Sequence, residues 1–480
     1  MDAPLLRHLS PLRAALLALL LALPSLAGGL AWDDWFLRER LSPPVPLREG
    51  VASAFVFMEG DPATLRGRLD SGFAPWWSLP EGKVAFWRPL AALSHALDFR
   101  LWPARPALMH LHSLLWFGAA VAAVAALYRR TLPGALAPLA ALLYAVDEGH
   151  GVAAGWLSNR NILMATTFGA LALIAHDRWR RDGWRPGAAM APLSLGLALL
   201  SAEGALGAAA YLAAHALSFE RGWGARLRAL APSALVGAAW VAARRAGGYG
   251  TWGAAAIEPL SEPGRFVAQL PARATLLLAG QWAPLPPELA AYLLPWQARL
   301  WLLVAVAALV AVAAWLWPLR RDPVGRFWAL GMALATVVAA GTIPAGRLLF
   351  FVGWGGMALL AMALRAAATG WRSGMKRAMI ATHLLAAPLL LPLLALSPAL
   401  LDGLPRAAAT LAGAGALARQ TVIVVHAPSS LAAGYLPLVR VGLGLEPPAR
   451  VRFLGAGPRP LTLTRVDERS VVVRPEGGFI

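Results

Sequence analysis

Apolar runs of about the length needed to cross a hydrocarbon layer, roughly 20 residues per helical crossing, recur along this chain and are separated by short polar turns. They lie near residues 12–31, 107–128, 133–147, 151–175, 187–202, 204–219, 228–243, 299–317, 327–344, 347–364 and 378–398. The pattern predicts about eleven transmembrane helices, several of them short, with ends uncertain by a few residues. The first run follows Arg7 and Arg13. It reads as an uncleaved span, with a cleaved signal peptide as the alternative, and either reading leaves Asp33 outside.

Two long segments interrupt the series, at 32–106 and 244–298. In the first, Leu90, Leu93, Leu97 and Leu101 fall on one side of a helix and predict an element lying along the membrane surface. In the second, the semi-apolar stretch 266–283 suits an interfacial or re-entrant helix better than a crossing. Beyond the last run, β-branched stretches at 421–425, 451–454, 461–466 and 470–474 are divided by Gly and Pro and predict short strands. The fold class is therefore an all-α polytopic membrane protein, with a transmembrane domain at 1–400 and a small C-terminal β-rich extracytoplasmic domain at 401–480.

Composition agrees: 58% of residues are hydrophobic and 14% charged, so the core solvent is lipid. The net charge of +18 sits in short clusters between apolar runs rather than in a stripe interleaved with aromatics. That distribution follows the positive-inside rule and argues against a nucleic-acid partner. With the N-terminus inside, the inner turns hold Arg129 and Arg130; Arg178, Arg180, Arg181 and Arg185; Arg221, Arg226 and Arg228; Arg320, Arg321 and Arg326; and Arg365, Arg372, Lys376 and Arg377. The outer turns hold Asp33 and Asp34, Asp147 and Glu148, and Glu203, and the C-terminus falls outside. The chain has no Cys, which excludes disulfides and thiolate metal sites.

The chemistry-bearing candidates gather at the outer ends of the spans, because a carboxylate at mid-bilayer costs about 2.5–3.5 kcal/mol. Asp33 and Asp34 follow the first span in WDDWF. They read as a solvated interfacial pair, or as a general base or cation-holding pair, since adjacent acids raise each other's proton affinity. The turn AVDEGHGVAAGWLSNRNIL carries Asp147, Glu148, His150 and Arg160. Arg160 lies about ten residues, or 15 Å, into the fourth expected span and requires an anion, either a bound phosphate or one of the outer acids. Glu203 marks a tight outer turn, and Arg347 follows GTIPAG, where it reaches a headgroup or snorkels. Arg88 opens the surface helix at its unpaired N–H groups. His110 and His112 open the second span on different faces, which disfavours a shared metal.

Taken in order, these segments resemble the GT-C superfamily of membrane glycosyltransferases, and most closely bacterial relatives of the TMTC-type protein O-mannosyltransferases. The similarity runs from about residue 30 to 215. It rests on the aspartate pair, on Trp87, Arg88, Pro89 and Leu90, on His110, and on Ala145 through Arg160, where His150, Trp156 and Arg160 match. Ser201, Ala202 and Glu203 resemble the family's S-K-E turn, and Arg347, Leu349 and Phe351 its later R-x-L-x-F entry. The chain departs from the family at Asp147 and Glu148, which replace His-Pro, at Val152 for Glu, at Ala202 for Lys and at Ser113 for Asn.

The resemblance implies a GT-C-like fold and transfer of a sugar from a polyprenyl phosphate donor to an acceptor hydroxyl, with inversion, on the outer face of a bacterial inner membrane. Asp33 or Asp34 would be catalytic, while Arg88, His110, His150, Arg160, Glu203 and Arg347 would bind substrate. Membrane lipid, the donor and a glycan, lipid or protein acceptor would be the partners, with a divalent cation as an optional cofactor. The departures leave open a non-catalytic scaffold that binds a lipid-linked glycan. A transporter is a third reading, although neither an internal repeat nor matched broken helices is present.

Overall fold

A computed structural model describes residues 9–403, 406, 419–427, 434–457 and 460–476; Arg7, the first basic flank, lies outside them. The described chain is mostly helical with a few small sheets. Among the described residues, three helices are long and apolar enough to cross a membrane: Pro106–Thr131, Pro295–Arg321 and Trp371–Leu401. The apolar window of Pro295–Arg321 is only 17% buried by protein. Leu300, Leu303 and Val310 are more than half exposed on it, as expected where the solvent is hydrocarbon.

The eleven expected crossings are not all of full length. The run at 133–147 forms the 10-residue helix Leu136–Ala145, about 15 Å long and half a hydrocarbon layer. The run at 151–175 breaks into Gly151–Gly155, a turn, and the 23-residue helix Arg160–Asp182. That helix is long enough to cross but carries Arg160 and Asp177, both fully buried in protein. Gly151 and Gly155 explain the break: small residues four apart let Gly151–Gly155 press on the last long helix. A methyl on Gly155 would lie 1.7 Å from the Ala395 carbonyl oxygen.

The two ends of the helices differ in what they carry. At one end Arg130 binds Asp177 and Asp182, and Arg180 binds Glu220. At the other, the two long loops meet in a sheet absent from the sequence reading. Strands β1 (Val56–Glu59), β2 (Lys83–Ala85) and β3 (Gly250–Trp252) pair antiparallel in that order. Strands of three or four residues drawn from distant segments leave no periodic trace. The surface helix spans Pro89–Leu101; Leu93, Leu97 and Leu101 face outward while Ala91, Ala92, His95, Asp98 and Phe99 are buried.

In the C-terminal segment, β4 (Thr421–Val424) pairs parallel with β5 (Arg450–Phe453), and β6 (Leu461–Arg465) with β7 (Val471–Pro475) antiparallel. Between them the helix Leu436–Gly442 docks on Asp33–Leu41. Tyr435 and Val439 join the hydrophobic cluster of Trp35, Phe36, Ala92 and Phe99. The C-terminal segment is thus welded to the first loop rather than tethered beyond it.

Gly155→Ala is expected to destabilise the purified protein by about 1–3 kcal/mol through overpacking, read as a lowered melting temperature. Gly224→Ala, where nothing lies within 4 Å of the added methyl, should leave it unchanged.

Candidate active site

Asp33 and Asp34 open the helix Asp33–Leu41, but they serve different ends. Asp34 is fully buried. Its Oδ2 accepts the Ala31 N–H at 2.9 Å and its Oδ1 the Ser158 N–H at 2.8 Å, and Trp156 Nε1 donates to the Ala31 carbonyl at 3.2 Å. Both carboxylate oxygens are committed to backbone, stitching the loop after the first helix to the turn before Arg160. Burial raises the Asp34 pKa well above the ordinary aspartate value; the two N–H bonds oppose this, and the charges of Asp33 and Asp402 reinforce it.

Asp33 is only half-buried. The Tyr435 hydroxyl donates to its Oδ1. Burial raises its pKa, against the Tyr435 hydrogen bond and the positive charges of Arg347 and Arg88. Tyr435 itself is pushed well above its usual range by burial and by Asp33, so it remains a donor. Trp32, just before the pair, has φ of 48°, the one positive value among the described non-glycine residues. Such a conformation costs about 1–3 kcal/mol and must be held from outside. Asp402, at the end of the last long helix, does so by accepting the Trp32 N–H and Trp35 Nε1, both at 3.3 Å.

Arg347 faces this group from the turn Gly346–Leu348. It is half-buried, its guanidinium lies 5.0 Å from the Trp156 ring centre, and among the described residues no hydrogen bond or ion pair reaches it. The negative charges that act on it are those of Asp33 and Glu288. Glu288 also accepts the Gly346 N–H at 2.5 Å and so fixes the turn. Arg88 adds a second cation. Glu203 accepts its Nε at 2.7 Å and the Trp87 N–H at 3.1 Å, while the guanidinium lies 4.3 Å from the Phe86 ring centre. Glu203 therefore orients Arg88.

The structure thus gathers Asp33, Arg88 with its partner Glu203, and Arg347. The other candidates lie elsewhere. Arg160, expected to meet a phosphate, is sealed in protein: it is 0% exposed and ion-paired to Asp98. It also donates to Ser113 Oγ at 2.9 Å, Ser94 Oγ at 3.0 Å and the Met109 carbonyl at 2.9 Å. Its anion is neither a ligand nor one of the acids in the neighbouring turn but the inward face of the surface helix. His112 Nδ1 meets the same Asp98 at 2.7 Å, with Trp116 donating to Nε2. His110 contacts the Gly29 carbonyl at 3.1 Å. His150 is fully buried among Tyr144, Phe350 and Phe117.

Beside it, Asp147 accepts from Gly149 N–H and from Gln281. Glu148 has its pKa raised to about 8 by burial and by Asp147.

Tyr435, Glu288, Asp402 and Asp98 were not foreseen. Only Asp98 left a signal, as an acid within the helix that carries the leucine stripe. Among the described residues no three His, Asp or Glu side chains converge as metal ligands. Each Asp34 oxygen already accepts a backbone N–H, so Asp33 is the carboxylate of the pair left to face a ligand.

A carboxamide at position 34 cannot accept both N–H groups without turning its NH2 toward one of them. Asp34→Asn is expected to destabilise the protein by about 1–3 kcal/mol, whereas Asp33→Asn should leave the melting temperature nearly unchanged. The raised Glu148 carboxyl makes the folded state bind more protons than the unfolded state between its usual 4.5 and about 8, so stability declines as pH rises through that window. Glu148→Gln should flatten a plot of melting temperature against pH there.

No family model and no curated protein matches the chain. Among solved structures it is similar to the Archaeoglobus fulgidus oligosaccharyltransferase tethered with an acceptor peptide, at 13% identity and TM-score 0.45, covering 93% of this chain and 64% of that one. It is also similar to ArnT from Cupriavidus metallidurans bound to undecaprenyl phosphate, at 11% identity and TM-score 0.43, covering 92% and 89%. A third is the A. fulgidus oligosaccharyltransferase AglB with an inhibitory peptide and a dolichol-phosphate, at 13% identity and TM-score 0.46. The chain spans 64% of the length of the oligosaccharyltransferase. At these identities and TM-scores the likenesses assign neither a residue role nor a substrate to this chain.

Proposed function

We infer that the chain is a GT-C-type membrane glycosyltransferase, related to the bacterial TMTC-like enzymes, that moves a sugar from a polyprenyl phosphate to an acceptor hydroxyl. The observation that supports this is the pairing of a half-buried aspartate, Asp33, with Arg347, a cation that makes no hydrogen bond or ion pair among the described residues, at one end of the apolar helices. In this reading about eleven segments lie in a bacterial inner membrane, the N-terminus is cytoplasmic, and the Asp33 end faces outward.

Asp33 takes the proton of the acceptor hydroxyl as its oxygen attacks the anomeric carbon. The bond between that carbon and the phosphate oxygen breaks on the opposite side, and configuration inverts. The lipid phosphate leaves with growing negative charge, which Arg347 and the Glu203-oriented Arg88 stabilise in a poorly hydrated setting. A base raised above the ordinary aspartate range accepts a proton more readily at neutral pH. Arg160, paired with Asp98, instead holds the surface helix against the bundle. That commitment of the family-like arginine is what favours the rival reading, a scaffold that binds lipid-linked glycan without turnover.

With polyprenyl phosphate sugars in membranes, Asp33→Asn should abolish transfer, and full activity would sink the proposed base. The wild-type rate should rise with pH through the raised Asp33 pKa. Tyr435→Phe removes a bond that favours the carboxylate, so its acidic limb should lie at higher pH than that of the wild type. Arg347→Ala should shift the limb the same way and slow transfer by about 10²–10³. Donor binding with no turnover under any donor would favour the scaffold.

A further inference from the structure

Toward the end of the bundle away from Asp33, the helices Leu206–Phe219, Pro295–Leu316, Pro323–Ala339 and Phe350–Arg365 enclose a cavity of about 550 Å³. The first and last of these helices begin beside Glu203 and Arg347, and the cavity lies toward their other ends. Its walls are apolar: Leu217, Leu316, Leu330 and Leu359 line it, and the small side chains of Ala313 and Ala329 leave room between them. Leu217, Ala313 and Ala329 are also exposed at the bundle surface, as are Leu300, Leu303 and Val310 further along Pro295–Leu316. In a membrane, a recess edged by such side chains meets hydrocarbon, and an alkyl chain fills it without desolvating any polar group.

The rim of the recess is cationic. Arg320 and Arg326 line it and are exposed. Gly325 brings them together: a methyl there would lie 2.6 Å from the Leu319 carbonyl oxygen, so the turn carrying Arg320 presses on the helix carrying Arg326. Among the described residues no carboxylate lines the cavity, and the acids at this end are engaged elsewhere. Asp177 and Asp182 bind Arg130, Glu220 binds Arg180, and Asp322 caps its own helix by accepting the Val324 N–H at 2.8 Å. Arg320 donates to the Trp317 carbonyl at 3.1 Å, and Arg326 makes no side-chain hydrogen bond or ion pair among the described residues. The Arg320 guanidinium lies 4.1 Å from the ring centre of the exposed Trp317, a pairing that suits the headgroup level of a bilayer. Guanidiniums take phosphate oxygens in paired hydrogen bonds. Two of them at the rim of an apolar recess match a molecule with an anionic head and a hydrocarbon tail.

We propose that this recess is a binding site for one anionic glycerophospholipid, its phosphate held by Arg320 and Arg326 and one acyl chain lying among Leu217, Leu316, Leu330 and Leu359. The site needs the membrane placement and is independent of the transfer reaction at Asp33. Purified full-length protein is mixed in detergent with phosphatidylglycerol or phosphatidylcholine of the same acyl chains, and retained lipid is counted by native mass spectrometry. One phosphatidylglycerol should be held about tenfold or more tightly than phosphatidylcholine, whose choline brings a further cation toward the arginines. Arg320→Gln with Arg326→Gln should abolish that preference; both side chains are exposed, so the fold is preserved, as an unchanged melting temperature without lipid checks. Ala329→Trp keeps both charges but fills the recess, and it should lower phosphatidylglycerol retention by a similar factor. Equal retention of the two lipids by the wild type overturns the proposal, as does wild-type retention of phosphatidylglycerol by either variant. Undecaprenyl phosphate added at equal concentration should leave the bound phosphatidylglycerol in place; if it displaces it, the site belongs to a polyprenyl carrier and the assignment to a glycerophospholipid is overturned.

Discussion

The buried carboxylate of Asp34 is the tie on which the candidate site depends. It joins the end of the first apolar helix, through Ala31, to the turn that launches Arg160–Asp182, through Ser158. Two backbone N–H groups in a dry setting need an acceptor, and leaving either unpaired costs more than one ordinary hydrogen bond contributes. Once that tie is made, Trp156 is held where its ring lies under Arg347 and its indole N–H reaches Ala31. The neighbouring Asp33 is then directed away from the backbone, toward Tyr435 and the two arginines. Two adjacent and chemically identical side chains acquire different roles because one is sealed and the other remains reachable.

The same contrast separates the two arginines that the sequence pattern pointed to. Arg160 has a carboxylate, two hydroxyls and a carbonyl around its guanidinium, so its charge is neutralised inside the fold. A buried pair of this kind costs desolvation of both ions, and removing one partner is far worse than never having had either. Arg347 has an aromatic face and distant acids only. A cation left without a partner is tolerated when a ligand completes it, and Glu288 holds its turn in place until then. Among the described residues, one guanidinium is neutralised inside the fold and the other is not.

Much of this was legible in the chain. Apolar runs interrupted by basic clusters gave the helical body, and the acids beside span ends included Asp33 and Glu203, with Arg88 and Arg347 nearby. What could not be read were the partners. Tyr435 lies about four hundred residues from Asp33, and Asp402 nearly as far from Trp32; no periodicity links them, because tertiary folding alone brings them together. The short β1–β2–β3 sheet escaped for the same reason. Span lengths were overestimated where glycine broke a run, since Gly151 and Gly155 are apolar by composition yet serve close packing rather than helix continuity.

The surface helix Pro89–Leu101 shows how solvent inverts a familiar pattern. In water its leucines would turn inward and Asp98 outward; here Leu93, Leu97 and Leu101 are exposed while Asp98 and His95 are buried. Exposed leucines of this kind suit an apolar solvent, and the aspartate pairs with the fully buried Arg160. That pairing fixes the helix by its polar face, and the Arg88 and Trp87 at its head are held by Glu203 at the same time. A helix gripped at both points cannot roll about its own axis. Glu203 and the Arg160–Asp98 pair thereby settle where Arg88 stands, and a cation fixed in advance needs least reorganisation to act on a neighbouring charge.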